Sequence, residues 1–286
     1  MDKAEKDEIE NEIRKRYPGI TQKEITLMLS FFDMMQAQTE AYSMGNEVET
    51  GRGKKKKADW LVDSTQIGQT YILYISIEDC PVKVFRRIKV PSNLWLGNLA
   101  RIILEAVGWE GYHLWQFTKN GVNYTSRANI EESKRSGFRF PYRQVNDMTV
   151  TVADVLPKKG STITFEYDFG DGWAHNVRVS SVSEDPCPAE AIQVTSGNGA
   201  CPPEDVGGVW GYARMLDILS GKIDDPEEKA TYEDWLGLEK GEDFDAEDFD
   251  IGFANDDVEA VVYAILDGEF QRWPCIATIL HKKPRS

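Results

Sequence analysis

The sequence predicts an α+β protein in which a β-grasp-like (ubiquitin-like) sheet is extended by a further β-hairpin and C-terminal helices, behind an N-terminal helical appendage. Two observations support this prediction. Short segments after residue 70 have the pattern of strands, and residues 84–90 among them alternate apolar and basic residues, as a strand with one solvent-exposed face does. A helical apolar stripe separates the first two pairs of these segments. The resulting order of hairpin, helix and hairpin is the order of a β-grasp unit, an analogy at the level of fold alone.

The N-terminal part, residues 1–44, is predicted to be the helical appendage. Thr21 and Glu24 form the spacing of a capping box, which predicts a helix from Ile25 to Tyr42. Residues 45–66 are polar and rich in glycine and lysine, a composition typical of a linker.

The main domain is predicted to span residues 67–270 and to be followed by a tail over residues 271–286. Asn120-Gly121 is a strong hairpin signal, and Gly108 ends the first helical stripe. The predicted strands are 71–77, 84–90, 113–118, 122–124, 162–167 and 176–179, and the predicted helices of this domain are 96–107, 212–219, 232–236 and 258–266.

Composition limits the classes of partner and the compartment. A net charge of −15 disfavours nucleic acid, whose phosphates require clustered Lys and Arg. Apolar runs of about eighteen residues, as in a membrane span, are absent from the sequence, and its first twenty residues are charged, unlike a signal peptide. The four cysteines are too widely spread to suggest a disulfide framework. We therefore expect a cytoplasmic protein whose partner is a protein or a small molecule.

Two segments, 166–175 and 201–212, crowd carboxylates, glycines, an imidazole, a thiol and aromatic rings into loop-like sequence. Gly170 and Gly172 allow a sharp turn between strands. Ordinary packing does not need this mixture of side chains, so a site is predicted here. The candidate binding residues are Tyr167, Asp168, Asp171, Trp173, His175, Glu204, Asp205, Trp210 and Tyr212.

These segments resemble the plasmid pRiA4b ORF-3-like family, whose signature reads Tyr-Asp-Phe-Gly-Asp-x-Trp-x-His and then Ala-Cys-Pro-Pro-Glu-Asp-x-Gly-Gly-x-x-Gly-Tyr. The resemblance extends over about residues 70–266 and implies the fold, an association with mobile genetic elements and no particular reaction. The matching positions are Tyr167 to Asp171, Trp173, His175, Ala200 to Asp205, Gly207, Gly208, Gly211 and Tyr212, with further matches at Arg86-Arg87, Gly108-Trp109, His113, Leu114 and Phe117.

The histidines and cysteines leave a metal site open as one alternative. His175 lies two residues after Trp173, so both side chains are expected on one face of a strand, in a structural or a functional role. A zinc site would use His175, Cys187, Cys201 and Asp205, although the sequence lacks a Cys-x-x-Cys knuckle. Otherwise the two thiols are small, partly buried groups. His113, beside aromatic residues at a strand start, is assigned a core or hydrogen-bonding role.

The leading interpretation is a binding or adaptor protein whose recognition site is formed by residues 167–175 and 201–208. Aromatic-rich loops suit recognition surfaces, and no complete catalytic constellation is visible in the sequence, so no catalytic residue is assigned. One alternative is a metal-dependent hydrolase using His175 and nearby carboxylates. Another is a nucleic-acid factor of a mobile element that uses the basic run Lys54 to Lys57, although a solvated linker is the simpler explanation of that run. Glu204 and Asp205 could also serve only to cap the helix that follows them.

Overall fold

The computed structural model describes residues 6–7, 10–11, 14, 22, 25, 58–135, 142–239 and 241–267. The predicted N-terminal helices, apart from isolated positions, the basic run Lys54 to Lys57 and the predicted tail lie outside the described residues. Residues 58–66 of the predicted linker are described, and Leu61 among them is fully buried in the core.

One eight-stranded sheet organises the described residues. Its order is β5-β4-β3-β6-β7-β1-β2-β8, and the described pairs are antiparallel except for the parallel pair β4 and β5. The strands are β1 (Gln69–Ile77), β2 (Phe85–Pro91), β3 (Trp115–Lys119), β4 (Val122–Thr125), β5 (Arg143–Asn146), β6 (Thr162–Tyr167), β7 (Trp173–Pro186) and β8 (Gln193–Asn198).

Seven helices of the described ranges accompany the sheet. They are α1 (Ala58–Leu61), α2 (Leu96–Val107), α3 (Arg127–Arg135), α4 (Val152–Val155), α5 (Gly208–Leu219), α6 (Pro226–Trp235) and α7 (Ile251–Asp267). Helix α2 is buried along almost its whole length and packs against α7, which also contacts β8. It ends at Gly108, whose φ of 115° is the left-handed conformation expected of a glycine at this position. Among all the described residues, no helix combines the length and the apolar character that crossing a membrane requires.

The α+β class is confirmed, whereas the narrower β-grasp prediction is not. The hairpin β1–β2 and the hairpin β3–β4 do lie on either side of α2 in the chain, as predicted. In the sheet, however, the hairpin β6–β7 lies between them, and β1 pairs with β7 in the antiparallel direction.

Arg86 connects the end of α2 to the edge of the sheet. Its side chain is almost fully buried, and burial lowers the pKa of its guanidinium to about 10. The guanidinium stacks on the ring of Phe249 at 3.9 Å from the centroid. Its hydrogen bonds go to the carbonyl oxygens of Phe85, Ala106, Val107, Asn198 and Gly199. Arg86 therefore anchors the segment that leads from β8 into the 201–207 loop.

Candidate functional site

The two motif segments meet in space. The first contributes the loop 168–172 between β6 and β7, here called the signature loop, and the second contributes the loop 201–207 before α5, here called the acidic loop. The amide of Gly207 donates a hydrogen bond of 3.0 Å to Oδ2 of Asp171. A Cβ atom on Gly208 would lie only 2.3 Å from the carbonyl oxygen of Asp171. The two loops are therefore in direct contact, which the sequence could not establish.

His113, which precedes β3, lies between the two loops. Its Nε2 is 3.1 Å from Oδ1 of Asp205 and 3.5 Å from Oδ2 of Asp168. One ligand atom from each of these three residues lies within 4.8 Å of the others. Among the described residues, this is the one group of three or more His, Cys, Asp or Glu side chains with metal-ligand spacing. It takes one carboxylate from each loop.

Backbone conformation explains why aspartate occupies both carboxylate positions. Asp168 and Asp205 have φ angles of 53° and 56°, in the left-handed region that aspartate tolerates better than most residues. Oδ1 of Asp168 accepts a hydrogen bond of 2.9 Å from the amide of Gly170. Oδ2 of Asp205 accepts one of 2.6 Å from the hydroxyl of Tyr112. Each carboxylate is thus held by one oxygen, and its other oxygen faces His113.

Glu204 is a fourth acidic group beside this cluster. Its Oε1 accepts hydrogen bonds from the Tyr167 hydroxyl at 2.9 Å and from the Glu110 amide at 2.8 Å. Its Oε2 is buried, lies 3.9 Å from Nε2 of His113, and has no hydrogen-bond partner in the described part of the chain. Burial raises the pKa of Glu204, against the lowering effect of these two hydrogen bonds. Burial also raises the pKa of Tyr167, as does the nearby charge of Glu204.

Buried aromatic rings pack against one another on the core side of the site. Trp109 packs against Tyr167 and Trp173, with ring centroids 5.4 and 5.2 Å apart, and Trp173 contacts Tyr212 at 6.5 Å. All four rings are buried. Of the predicted binding residues, Trp173 and Tyr212 therefore pack beneath the site, whereas Trp210 is 87% exposed.

His175 lies in the core and not in the cluster. It shares the buried face of β7 with Trp173, as the spacing of two predicts. Its Nδ1 is 3.0 Å from the Trp173 carbonyl oxygen and 3.2 Å from that of Phe165. Complete burial lowers the pKa of His175 to about 4. The histidine of the cluster is His113, which the sequence assigned a core or hydrogen-bonding role. The structure places it between the two loops, with its side chain 25% exposed.

The predicted zinc set is not brought together. The cluster shares Asp205 with that set and contains none of its other members. Cys187 lines an apolar pocket with Leu61, Ile67 and Leu266. Cys201 packs close to Gly108 at the end of α2. The thiols are thus part of the packing around the sheet, the structural alternative that their small size suggested.

The acidic pair does not cap α5 with its side chains. The residue before this helix, Gly207, makes no side-chain cap, and its amide is bound by Asp171 of the signature loop. Glu204 and Asp205 turn instead toward Tyr167, Tyr112 and His113. The sequence reasoning missed His113 because a single histidine beside aromatic residues is more often part of a core; the family-like Gly-Trp-x-x-x-His-Leu pattern was the signal that pointed to it.

The burial of His175 has a measurable consequence for stability. An unfolded histidine has a pKa of 6.5 and the folded one about 4. Between these values the unfolded chain binds a proton that the folded chain does not, so stability falls as the pH decreases through this window. We expect wild type to lose roughly 2–3 kcal/mol more than His175→Gln between pH 7.5 and 4.5. Urea unfolding at both pH values measures this difference, and parallel pH profiles would contradict it.

Comparisons with known proteins agree with the motif match. The sequence profile of the family described as plasmid pRiA4b ORF-3-like protein matches residues 69–252. The chain is 30% identical over 170 residues to uncharacterized protein y4hQ of Sinorhizobium fredii, covering 58% of this chain and 79% of y4hQ. It is also similar to the crystal structure of a protein of unknown function, MM3350 from Methanosarcina mazei Go1. That match has a TM-score of 0.54 and 29% identity, and covers 66% of this chain and 98% of the other.

The fold and the two loops thus define an α+β protein with a His-carboxylate cluster at one end of its sheet. The chain belongs to the plasmid pRiA4b ORF-3-like family. The matched region includes β1 to β8 and all residues of the cluster.

Proposed function

We propose that this protein binds a divalent transition-metal ion through His113, Asp168 and Asp205. The observation that carries the proposal is the convergence of one imidazole nitrogen and two carboxylate oxygens within 4.8 Å of one another. Such a nitrogen and oxygen donor set suits Zn²⁺, Mn²⁺ or Fe²⁺, whereas Ca²⁺ and Mg²⁺ prefer oxygen ligands alone.

Charge supports the same conclusion. The side chains of Asp168 and Glu204 are 10% and 14% exposed, and both carboxylates lie beside His113 together with Asp205. Like charges that are close together and shielded from water repel each other strongly. A bound dication offsets this repulsion, and it would use the oxygens that no hydrogen bond in the cluster occupies.

The predicted binding or adaptor role fits a metal site with an exposed rim. Leu114 and Phe169 adjoin the ligands His113 and Asp168 in sequence, and their side chains are 54% and 45% exposed. Exposed apolar side chains beside a polar centre are common in recognition surfaces. Carboxylates dominate the site, so the partner we propose is a protein or a small molecule and not nucleic acid.

We also propose that β1 to β4 and α2 form a β-grasp-like unit, because they follow each other in the β-grasp order along the chain. The hairpin β6–β7 comes later in the chain and would then lie between the two hairpins of this unit in the sheet.

Metal titration of the full chain tests the proposed site. After chelation and dialysis, calorimetric titration with Zn²⁺ or Mn²⁺ is expected to show one ion bound per chain. Asp168→Asn removes one charged ligand and is expected to weaken binding at least about 100-fold, since losing even the outer partners of metal ligands costs about 10- to 100-fold. Asp224→Asn, an exposed carboxylate on the segment before α6, is the matched control and should bind as wild type does.

Two outcomes would contradict this assignment. One is a folded wild type that binds neither ion, and the other is an Asp168→Asn variant with wild-type affinity. Circular dichroism of each variant shows whether the fold is retained.

A further inference from the structure

Glu204 is held beside the proposed metal position without belonging to the ligand group. Its Oε1 is fixed by two donors, the Tyr167 hydroxyl and the Glu110 amide. Its Oε2 is buried and without a hydrogen-bond partner within the described residues, 3.9 Å from the Nε2 atom of His113. Leaving a buried acceptor without a hydrogen-bond partner is unfavourable, because the desolvation of that oxygen is not offset. This oxygen can therefore accept a hydrogen bond from a ligand that enters the His-carboxylate cluster.

From this arrangement we propose that Glu204 is the general base of a metal-dependent hydrolytic reaction. This inference rests on the metal binding proposed above. Three protein ligands leave open positions around a divalent ion, and water occupies such positions in catalytic sites. A carboxylate within reach of that water can accept its proton.

The reaction adds one water molecule across an acyl bond. The water oxygen forms a bond to the carbonyl carbon while Glu204 Oε2 accepts the water proton. The bond from that carbon to the leaving nitrogen or oxygen then breaks, and the proton passes from Glu204 to the leaving group. No oxidant, reductant or second co-substrate is needed, and Glu204 returns to its carboxylate form.

Charge and exposure around the cluster indicate the substrate class. The acidic side chains Glu110, Asp168, Asp171, Glu204 and Asp205 come from the segments that form the site. They would repel a phosphate ester, whereas an uncharged or positively charged amide or ester is accepted. The exposed Leu114 and Phe169 favour an apolar group beside the acyl carbon.

Tyr167 is a positioning residue in this scheme, because its hydroxyl donates to Glu204 and would not touch the substrate. The hydrogen bond keeps Oε1 occupied and leaves Oε2 directed toward the cluster. Tyr167→Phe retains the buried ring and removes only the hydroxyl. We expect this variant to lower kcat about tenfold with little change in KM, whereas a purely structural role would lower stability without this split.

The test uses the full chain loaded with Zn²⁺ or Mn²⁺ and two probes. L-leucine 4-nitroanilide is a cationic amide with an apolar side chain, and 4-nitrophenyl acetate is a neutral ester. We expect turnover of at least one probe by the wild type, and a loss of about 100-fold or more in kcat for Glu204→Gln. Metal affinity should change less than about threefold in this variant, which separates a base from a ligand. Glu247→Gln removes an exposed charge elsewhere and serves as control.

The outcomes separate this inference from the metal site itself. If metal binds and the loaded wild type hydrolyses neither probe faster than the metal-free chain, the catalytic role is overturned and the metal site stands. Glu204→Gln with wild-type turnover also overturns it. If no metal binds, the proposed function fails first.

Discussion

Gly208→Ala is expected to separate the two loops and to weaken metal binding strongly. A Cβ atom at this position would lie 2.3 Å from the carbonyl oxygen of Asp171, a backbone atom that can move only if the signature loop moves. Residue 208 also has a φ of 67°, which disfavours alanine by about 1 kcal/mol or more. Because Asp168 lies on one loop and Asp205 on the other, their separation would disperse the ligands. We expect an affinity loss of at least about 100-fold in calorimetric titration.

Gly221→Ala is the matched control for this substitution. Gly221 has a φ of 75°, but a Cβ atom there would meet nothing within 4 Å. The control therefore carries the backbone strain without the clash, and it should bind metal as wild type does. Wild-type affinity in Gly208→Ala would show that contact between the loops is not required.

Arg86→Met is expected to lower the free energy of unfolding by about 4 kcal/mol or more. The substitution puts an unbranched apolar side chain in place of the arginine. It thereby removes the donors for five backbone carbonyl oxygens. Buried acceptors without partners are unfavourable by about 1–3 kcal/mol each, and the losses do not add fully. The helix end at Ala106 and Val107 also loses a favourable positive charge.

Arg87→Met provides the comparison, since Arg87 is the exposed neighbour on the same strand. Urea unfolding of both variants gives the difference directly. A difference of less than about 1 kcal/mol between them would mean that Arg86 does not hold α2 to the β2–β8 edge.

Local patterns predicted much of the fold. The apolar stripe of α2 and the glycine that follows it predicted both ends of this helix correctly. A fully packed amphipathic helix carries a strong periodic signal in its sequence. Strands β1 and β2 were predicted within one or two residues. Strand β8, in contrast, reads Gln-Val-Thr-Ser-Gly-Asn and lacks alternating apolar residues. It forms because β2 offers a hydrogen-bonding edge, a tertiary cause that no local pattern reports.

The order of the strands in the sheet could not be predicted from the sequence, for a similar reason. Strand β7 pairs with β6, its neighbour in the chain, and with β1, about one hundred positions earlier. Such long-range pairing depends on how the hairpins assemble and not on local propensity. The β-grasp prediction treated the hairpin β6–β7 as an extension of the sheet, whereas this hairpin lies between β3–β4 and β1–β2.

The sequence singled out the two loops that meet in the structure, and it singled out only some of the residues of the His-carboxylate cluster. Asp168, Glu204 and Asp205 were selected because carboxylates in glycine-rich loops are not needed for packing. His175 was selected on the same grounds, yet strand alternation places it in the core with Trp173. His113 was passed over because its neighbours are aromatic, and only the tertiary contact of three separate segments brings it to the carboxylates.

The proposed binding of one metal ion by His113, Asp168 and Asp205 is tested most directly by anomalous diffraction. The crystals are grown with Mn²⁺ or Zn²⁺, and data are recorded on both sides of the metal absorption edge. We predict a single strong anomalous peak about 2.0–2.2 Å from Nε2 of His113 and from one oxygen of each aspartate. A well-ordered site without a peak at saturating metal, or a peak bound by other residues, would contradict the claim.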